Sequence, residues 1–337
     1  MRHISRWDLD KTYLRTEFDT VRDLVRTAFE RPDEKRTNPG AATLLREMGR
    51  AGVSIHILSG SPEQMRRRLE DKLRLDGITW DTFTLKPNLQ NVLRLRFRAL
   101  RDQLGYKLPA LLHARTSAAD ELAGACETLF GDDAEADAFV YSLYADVMAG
   151  RVGEELLRSV AERGRVYEDV LEDILRCVRL VRGDDVVERV LIHLERQTPP
   201  SDFHVYGRRV VPFYNYLQAA FVVHEDGRLP AEGVLRVATE MVTQHRFDGD
   251  ALARSYADLG RRGHLAGTKI PELAQALTAW ETQGGVLALG ELRAMVDRLP
   301  AYAEQARDRY VEPGELPVPD YLALVAKHNP RHRKRRH

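Results

Sequence analysis

The strongest constraint on the fold is an alternation of short apolar runs with amphipathic stretches along the first 150 residues. Residues 53–58 and 126–130 are predicted strands, and residues 41–50 and 62–75 are predicted helices. Strands that alternate with helices pair in parallel, because each crossover helix returns the chain to the same edge of the sheet. We therefore expect an α/β fold whose functional loops lie at the carboxyl ends of parallel strands.

The rest of the chain is mostly helical in pattern. Residues 152–182 carry apolar side chains at helical spacing, which predicts a helical insertion in the sheet domain. Residues 190–194 are a short branched apolar run followed by prolines, which favours one more buried strand, and residues 210–224 predict a core helix. The expected organisation is a sheet domain over 1–225, a helical region over 226–330 and a disordered basic tail over 331–337.

Composition narrows the class of protein. The 51 Lys and Arg residues balance 51 Asp and Glu residues, which argues against nucleic-acid binding over the whole surface. The only cysteines, Cys126 and Cys177, exclude a disulfide framework and indicate buried thiols in a reducing compartment. No apolar run approaches the roughly 20 residues that span a bilayer, and the N-terminus lacks the apolar segment of a signal peptide. We expect a soluble, cytoplasmic protein without a transmembrane segment.

Two aspartates, Asp8 and Asp10, follow a predicted strand at residues 4–7, and Thr12 follows them. A sharp turn at this point aims both carboxylates at one place above the sheet. Paired carboxylates can bind a hard divalent cation, or one can attack phosphorus while the other transfers protons. A solvated acidic turn that caps the next helix explains the same residues without any chemistry.

A second acidic cluster follows the predicted strand at residues 126–130, and its members are Asp132, Asp133, Glu135 and Asp137. Four acids so close together repel one another unless a cation or a basic group neutralises them. An acidic helix N-terminus, which the helix dipole favours, is the alternative. That alternative explains Asp133 and Glu135, but it explains less well why a second acidic cluster also follows a strand.

Ser59 and Gly60 lie between the acidic clusters, just after the strand at residues 53–58, where a hydroxyl can bind a phosphate oxygen. A phosphoryl-transfer site also needs a cation to offset the charge on the transferred group. Lys107 is the candidate for this cation, and Lys86 competes with it.

The serine after Gly60 has a simpler interpretation. Ser61 precedes Pro62, and Gln64 follows, so the three residues form a capping-box pattern with proline at the first helical position. We therefore expect Ser61 to be the N-cap of the helix at residues 62–75.

In chain order, these segments resemble the four motifs of the haloacid dehalogenase superfamily of phosphotransferases, which have a Rossmann-like parallel sheet. The resemblance implies that Asp8 is a nucleophile and Asp10 a general acid and base, which favours a phosphohydrolase over a dehalogenase. It implies that Ser59, Gly60 and Lys107 bind the phosphate. The residues implied as Mg²⁺ ligands are Asp8, Asp10, Asp132 and Asp133, with Asp133 or Asp137 holding a metal water or orienting Lys107.

Finer similarity points to one branch of that superfamily. Residues 59–62 and 131–137 are similar to motifs in the catalytic domain of App1-type phosphatidate phosphatases. The chain departs from that branch at Asp133, where a serine is frequent, in the helical stretch 152–182, and in its polar first strand. The similarity implies a phosphorylated substrate such as the lipid phosphatidate, and a protein that is peripheral at a membrane.

The resemblance as a whole implies a Mg²⁺-dependent phosphohydrolase that forms an aspartyl phosphate from a phosphomonoester. Residues 14–38 and 76–106 are too short for a full cap domain, so we expect little or no cap and a bulky substrate, unless residues 226–337 cover the site. One alternative is a catalytically silent relative that serves as a binding or scaffolding module. Another is a nucleic-acid end phosphatase that uses the basic tail at residues 331–337.

Overall fold

The centre of the molecule is a parallel β-sheet. The computed structural model describes residues 2–15, 36–86, 100–285, 287–310 and 318–328. Within them lies a six-stranded sheet, all parallel, in the order β3-β2-β1-β4-β5-β6. The strands are β1 (His3–Trp7), β2 (Ser54–Pro62), β3 (Thr82–Lys86), β4 (Cys126–Asp132), β5 (Val187–His193) and β6 (Val210–Phe213). The predicted α/β class, with a Rossmann-like parallel sheet and a helical C-terminal region, is confirmed.

Helices cover both faces of this sheet. Those that pack on the first face are α1 (Ala41–Arg50), α2 (Arg66–Leu75), α7 (Tyr216–Glu225), α8 (Ala231–His245), α9 (Gly249–Arg261), α10 (Ile270–Gln283) and α11 (Leu289–Arg307). Those on the second face are α3 (Leu100–Thr116), α4 (Asp137–Met148), α5 (Glu154–Gly164), α6 (Glu168–Val178) and α12 (Tyr321–His328). Short 3₁₀ helices occupy Glu63–Met65 and Pro200–Tyr206.

Each face has its own hydrophobic core, because successive side chains of a strand point to opposite faces. In β5, Leu191 lies in the first core, whereas Val190 and Ile192 lie in the second. A strand buried on both sides has a continuous apolar sequence, which is why this strand is visible as an unbroken run. The helical region α8–α11 shares the first core with α1 and α7, and α12 crosses to the second core.

The helical insertion predicted at 152–182 is present as two helices, α5 and α6, and Arg165 between them has a left-handed backbone (φ 59°) that ends α5. The predicted core helix at residues 210–224 is wrong in its extent. Residues 210–224 begin with a strand, β6, and become helical only at Tyr216, where the Asn215 side chain accepts the N–H of Gln218. The strand holds Pro212 because β6 lies at the edge of the sheet, where a missing donor is tolerated.

No helix in the described part of the chain is both long enough and apolar enough to cross a membrane. The prediction of little or no cap concerns residues 14–38 and 76–106, and of these, 16–35 and 87–99 lie outside the described residues. The basic tail at 331–337 also lies outside them.

Candidate active site

The carboxyl ends of three adjacent strands bring most of the predicted site residues together. Asp8 directly follows β1, Ser59 lies near the end of β2, and Asp132 ends β4. The strands β2, β1 and β4 are neighbours in the sheet, so these residues meet at one edge. Asp8 and Asp132 are buried, with side chains 1% and 0% exposed.

The turn after β1 is held by hydrogen bonds from outside it. Lys11 has a left-handed backbone with φ 62°, which turns the chain sharply after Asp10. The Asn38 side-chain amide donates to the carbonyls of Lys11 (3.0 Å) and Thr12 (2.7 Å). The Tyr216 hydroxyl, from α7, also donates to the Thr12 carbonyl at 2.5 Å. These bonds fix the direction in which the Asp8 and Asp10 side chains leave the sheet.

Asp10 lies against the end of β2. Its Oδ2 accepts hydrogen bonds from the hydroxyls of Ser59 (3.1 Å) and Ser61 (2.8 Å). The prediction that Ser61 caps a helix is wrong, because β2 continues to Pro62 and the α-helix begins only at Arg66. A Cβ built at Gly60 would meet no atom within 4 Å, so open space lies beside Ser59.

Lys107 on α3 is the lysine that reaches the acidic cluster. Its fully buried Nζ lies 3.2 Å from Asp8 Oδ1, 3.0 Å from Glu135 Oε2 and 2.5 Å from Asp137 Oδ1. Lys86, at the end of β3, lies outside this contact, with its Nζ 5.6 Å from the centre of the Tyr106 ring. Of the two predicted candidates, the structure thus places Lys107 in the site.

The loop after β4 folds around Asp132. Its Oδ1 accepts the backbone N–H groups of Ala134 (2.6 Å) and Glu135 (2.9 Å), as an Asx turn does. The Asp132 backbone N–H donates to Asp137 Oδ2 at 3.1 Å. A Cβ at Gly131 would lie 2.5 Å from the same Asp137 oxygen, so glycine is needed for this close approach.

Asp133 does not join the cluster, and we correct its expected place among the metal ligands. Its carboxylate oxygens accept the backbone N–H groups of Arg196 (2.7 Å) and Thr198 (3.0 Å), so it holds the loop after β5. Asp137 occupies the place in the cluster instead. Sequence reasoning offered Asp137 only as a residue that holds a metal water or orients Lys107, and Glu135 received no role beyond the acidic run.

The cluster carries more negative charge than its lysine can neutralise. Burial raises the pKa of Asp8 well above its ordinary value; Lys107 opposes this shift and Asp137 adds to it. Burial, with Asp137 and Glu135 close by, likewise raises the pKa of Asp132. Burial lowers the pKa of Lys107, but the Asp137 and Asp8 carboxylates outweigh it and hold that pKa well above the usual value. The lysine therefore stays charged while the carboxylates lack a further counter-charge.

The donor set fits a hard divalent cation. Asp8, Asp132 and Asp137 each offer a carboxylate oxygen, and these oxygens lie within 4.8 Å of one another. Asp8 Oδ1 is buried and has no hydrogen-bond donor among the described residues, although Lys107 Nζ is near it. Mg²⁺ prefers oxygen ligands of this kind, so the residues present suit the predicted cofactor.

Comparison with models of protein families, with curated proteins and with solved structures found no match to this chain. The evidence on function is therefore the site itself, in which Asp8, Asp10, Ser59, Lys107 and Asp132 come together at one edge of the sheet.

Proposed function

We propose that the protein is a Mg²⁺-dependent phosphohydrolase of the haloacid dehalogenase type, acting on a phosphomonoester through an aspartyl phosphate. The observation that supports this best is the buried Asp8 carboxylate. Its Oδ1 accepts no hydrogen bond from the described residues, although the Lys107 ammonium lies 3.2 Å from it. Asp10 lies two residues further on, against the serines that end β2. A nucleophile, a proton carrier and a cation are the groups that phosphoryl transfer needs.

In the proposed mechanism, Asp8 attacks phosphorus, a new O–P bond forms, and the bond to the leaving oxygen breaks. Asp10 gives the leaving oxygen a proton and then removes one from the water that hydrolyses the aspartyl phosphate. The backbone at Gly60 and the Lys107 ammonium would hold the phosphoryl oxygens, and the Ser59 hydroxyl would join them by turning away from Asp10 when the substrate binds. The Ser61 hydroxyl would then keep the Asp10 carboxylate directed toward the same space.

Mg²⁺ would be held by the carboxylates of Asp8 and Asp132 and by the backbone carbonyl of Asp10. The bound ion supplies positive charge that offsets the charge of the phosphoryl group. Asp137 also contacts the Lys107 ammonium, at 2.5 Å, which helps to keep it beside Asp8. The same motifs extend the proposal to a lipid phosphate such as phosphatidate.

The test is phosphate release from a panel of phosphomonoesters with Mg²⁺ and with EDTA. Replacement of Asp8 by Asn should lower kcat/KM by about 10⁴-fold, because it removes the nucleophile. Asp133→Asn is the matched control, since it makes the same change at an acid of the second acidic cluster whose carboxylate bonds to the backbone after β5. Failure of the wild-type protein to hydrolyse any phosphomonoester would contradict the proposal and would favour a silent binding module.

A further inference from the structure

A cavity opens beside the acidic loop, on the second face of the sheet. Its volume is about 520 Å³, and Asp132 and Glu135 line the end nearest the candidate active site. The other two walls are the 3₁₀ helix Pro200–Tyr206 and the C-terminal helix α12. This volume falls within the range of cavities that bind small molecules.

The cavity has an apolar floor and a polar rim. Phe139, Phe203 and Leu324 line it and are nearly or completely buried, and Val205 also lines it although its side chain is 47% exposed. The polar side chains of the rim are exposed, and they belong to Ser201, Asp202, Lys327 and His328. The apolar side chains offer no hydrogen-bonding groups, so a sugar bound against them would lose its bonds to water without replacement. An alkyl or aryl group would instead gain from burial.

The wall formed by α12 is firmly attached to α4. The Tyr321 hydroxyl of α12 donates to Asp146 on α4 at 2.5 Å, and the Tyr321 ring packs edge-on against Phe139 with 5.6 Å between ring centres. His328, at the other end of α12, contacts the same Phe139 ring at 5.8 Å. The helix is therefore fixed against α4 at both its ends.

The wall formed by the 3₁₀ helix is coupled to the acidic loop. Asp133, the residue after Asp132, binds the backbone N–H groups of Arg196 and Thr198. These residues directly precede the 3₁₀ helix at Pro200–Tyr206, so a single loop places both the candidate metal ligand and the wall of the cavity. A carboxylate oxygen of Asp132 lies within 4.8 Å of one of Asp8, so the cavity that Asp132 lines is next to the place where Asp8 would meet a phosphate.

We infer that this cavity binds the apolar leaving group of the substrate, and that α12 and the 3₁₀ helix select an alkyl or aryl phosphomonoester over a sugar phosphate. The inference rests on the proposed phosphohydrolase function for its catalytic consequence, but binding at the cavity can be measured separately. Leu324 and Val205 are then specificity-determining residues for the leaving group, without any part in the chemistry.

The experiment compares monoalkyl phosphates from ethyl to octyl with glucose 6-phosphate, below micelle-forming concentrations. In the wild-type protein, kcat/KM should rise about fourfold with each methylene that enters the cavity. Leu324→Ala should lower kcat/KM for octyl phosphate about tenfold and leave ethyl phosphate unchanged. The matched control is Leu322→Ala, on the same helix but outside the cavity lining.

A second measurement separates the two proposals. Calorimetric titration with octylphosphonate and ethylphosphonate, which are not hydrolysed, should show tighter binding of the octyl compound, and Leu324→Ala should remove that preference. Hydrolysis without any dependence on chain length, or without a response to Leu324→Ala, would overturn the cavity assignment and leave the phosphohydrolase intact. Octylphosphonate binding without hydrolysis of any ester would contradict the phosphohydrolase and retain the cavity as a ligand site.

Discussion

Replacement of Lys107 by Met tests whether this residue is the counter-ion of the acidic cluster. The substitution keeps the length of the side chain and removes the charge that touches Asp8, Glu135 and Asp137. Removal of one partner from a buried ion pair costs about 3–5 kcal/mol, because the remaining charge stays buried without compensation. Since three carboxylates lose the same partner, we expect a loss near the upper end, about 5 kcal/mol in the free energy of unfolding.

The loss should depend on pH. Lys107 opposes the raised pKa values of Asp8 and Glu135. Without the ammonium these pKa values rise further, so the folded state binds protons that the unfolded chain releases above its ordinary carboxyl pKa. Stability then falls as pH rises, by about 1.4 kcal/mol per pH unit for each such proton. Denaturant unfolding of Lys107→Met in EDTA should therefore show a larger deficit at pH 8 than at pH 6.

Lys72→Met is the matched control. Among the described residues, the Lys72 ammonium pairs with Asp76 alone, at 2.7 Å, and Asp76 also accepts a hydrogen bond from the Tyr13 hydroxyl. We expect its removal to cost about 1 kcal/mol or less, because Asp76 keeps a partner and some exposure to water. Equal losses for the two lysine variants at both pH values would refute the counter-ion role of Lys107. Addition of Asp137→Asn to Lys107→Met should restore part of the stability.

Three further predictions concern the metal, the turn after β1 and a buried histidine. Mg²⁺ at 100 times its Kd should stabilise the protein by about 2.7 kcal/mol in thermal melts, and Asp132→Asn should remove this stabilisation. Equal melting temperatures of the wild type in Mg²⁺ and in EDTA would contradict the metal site. Tyr216→Phe removes the bond to the Thr12 carbonyl, so unfolding should lose only about 1 kcal/mol while kcat/KM falls about tenfold; unchanged kinetics would show that the turn holds without it. Burial lowers the pKa of His56 to about 4, so between pH 6.5 and 4 the unfolded chain binds a proton that the folded protein does not, and stability falls as pH falls. His56→Leu should reduce that slope by up to about 1.4 kcal/mol per pH unit, and an unchanged slope in denaturant titrations would assign the acid sensitivity to other groups.

The fold and the main site residues were predictable because they follow from periodicity and strand order. Polar residues that end parallel strands meet at one edge, so Asp8, Ser59 and Asp132 could be grouped before any coordinates were known. The choice of Lys107 over Lys86 came with the structure, because the direction of a side chain from α3 depends on how that helix packs on the sheet.

Other details depend on where an element ends, which local sequence determines poorly. Ser61 has the pattern of a helix cap, but β2 continues through it to Pro62 and directs its hydroxyl to Asp10 instead. Asp133 belongs to the same acidic cluster as Asp132, but its side chain leaves the backbone in another direction. Its carboxylate accepts the N–H groups of Arg196 and Thr198 after β5, which lie 63 and 65 positions along the chain. Such partners lie far apart in sequence, so no local pattern indicates them.

The helical region after residue 226 supports the candidate site from the first face of the sheet. Glu240 on α8 accepts the backbone N–H of Gly40 at 2.9 Å, next to Asn38, which holds the turn after β1. Gly40 has φ 83°, and a Cβ there would lie 3.1 Å from Tyr216 Cβ, so only glycine allows this approach. The helices α7 and α8 thus support the turn that carries Asp8 and Asp10. By contrast, α12 lines the cavity beside Asp132. On the proposed function, we therefore expect two separable effects of the C-terminal region. A substitution in α8 should alter the hydrolysis of all substrates alike, and one in α12 should alter only that of substrates with a large leaving group.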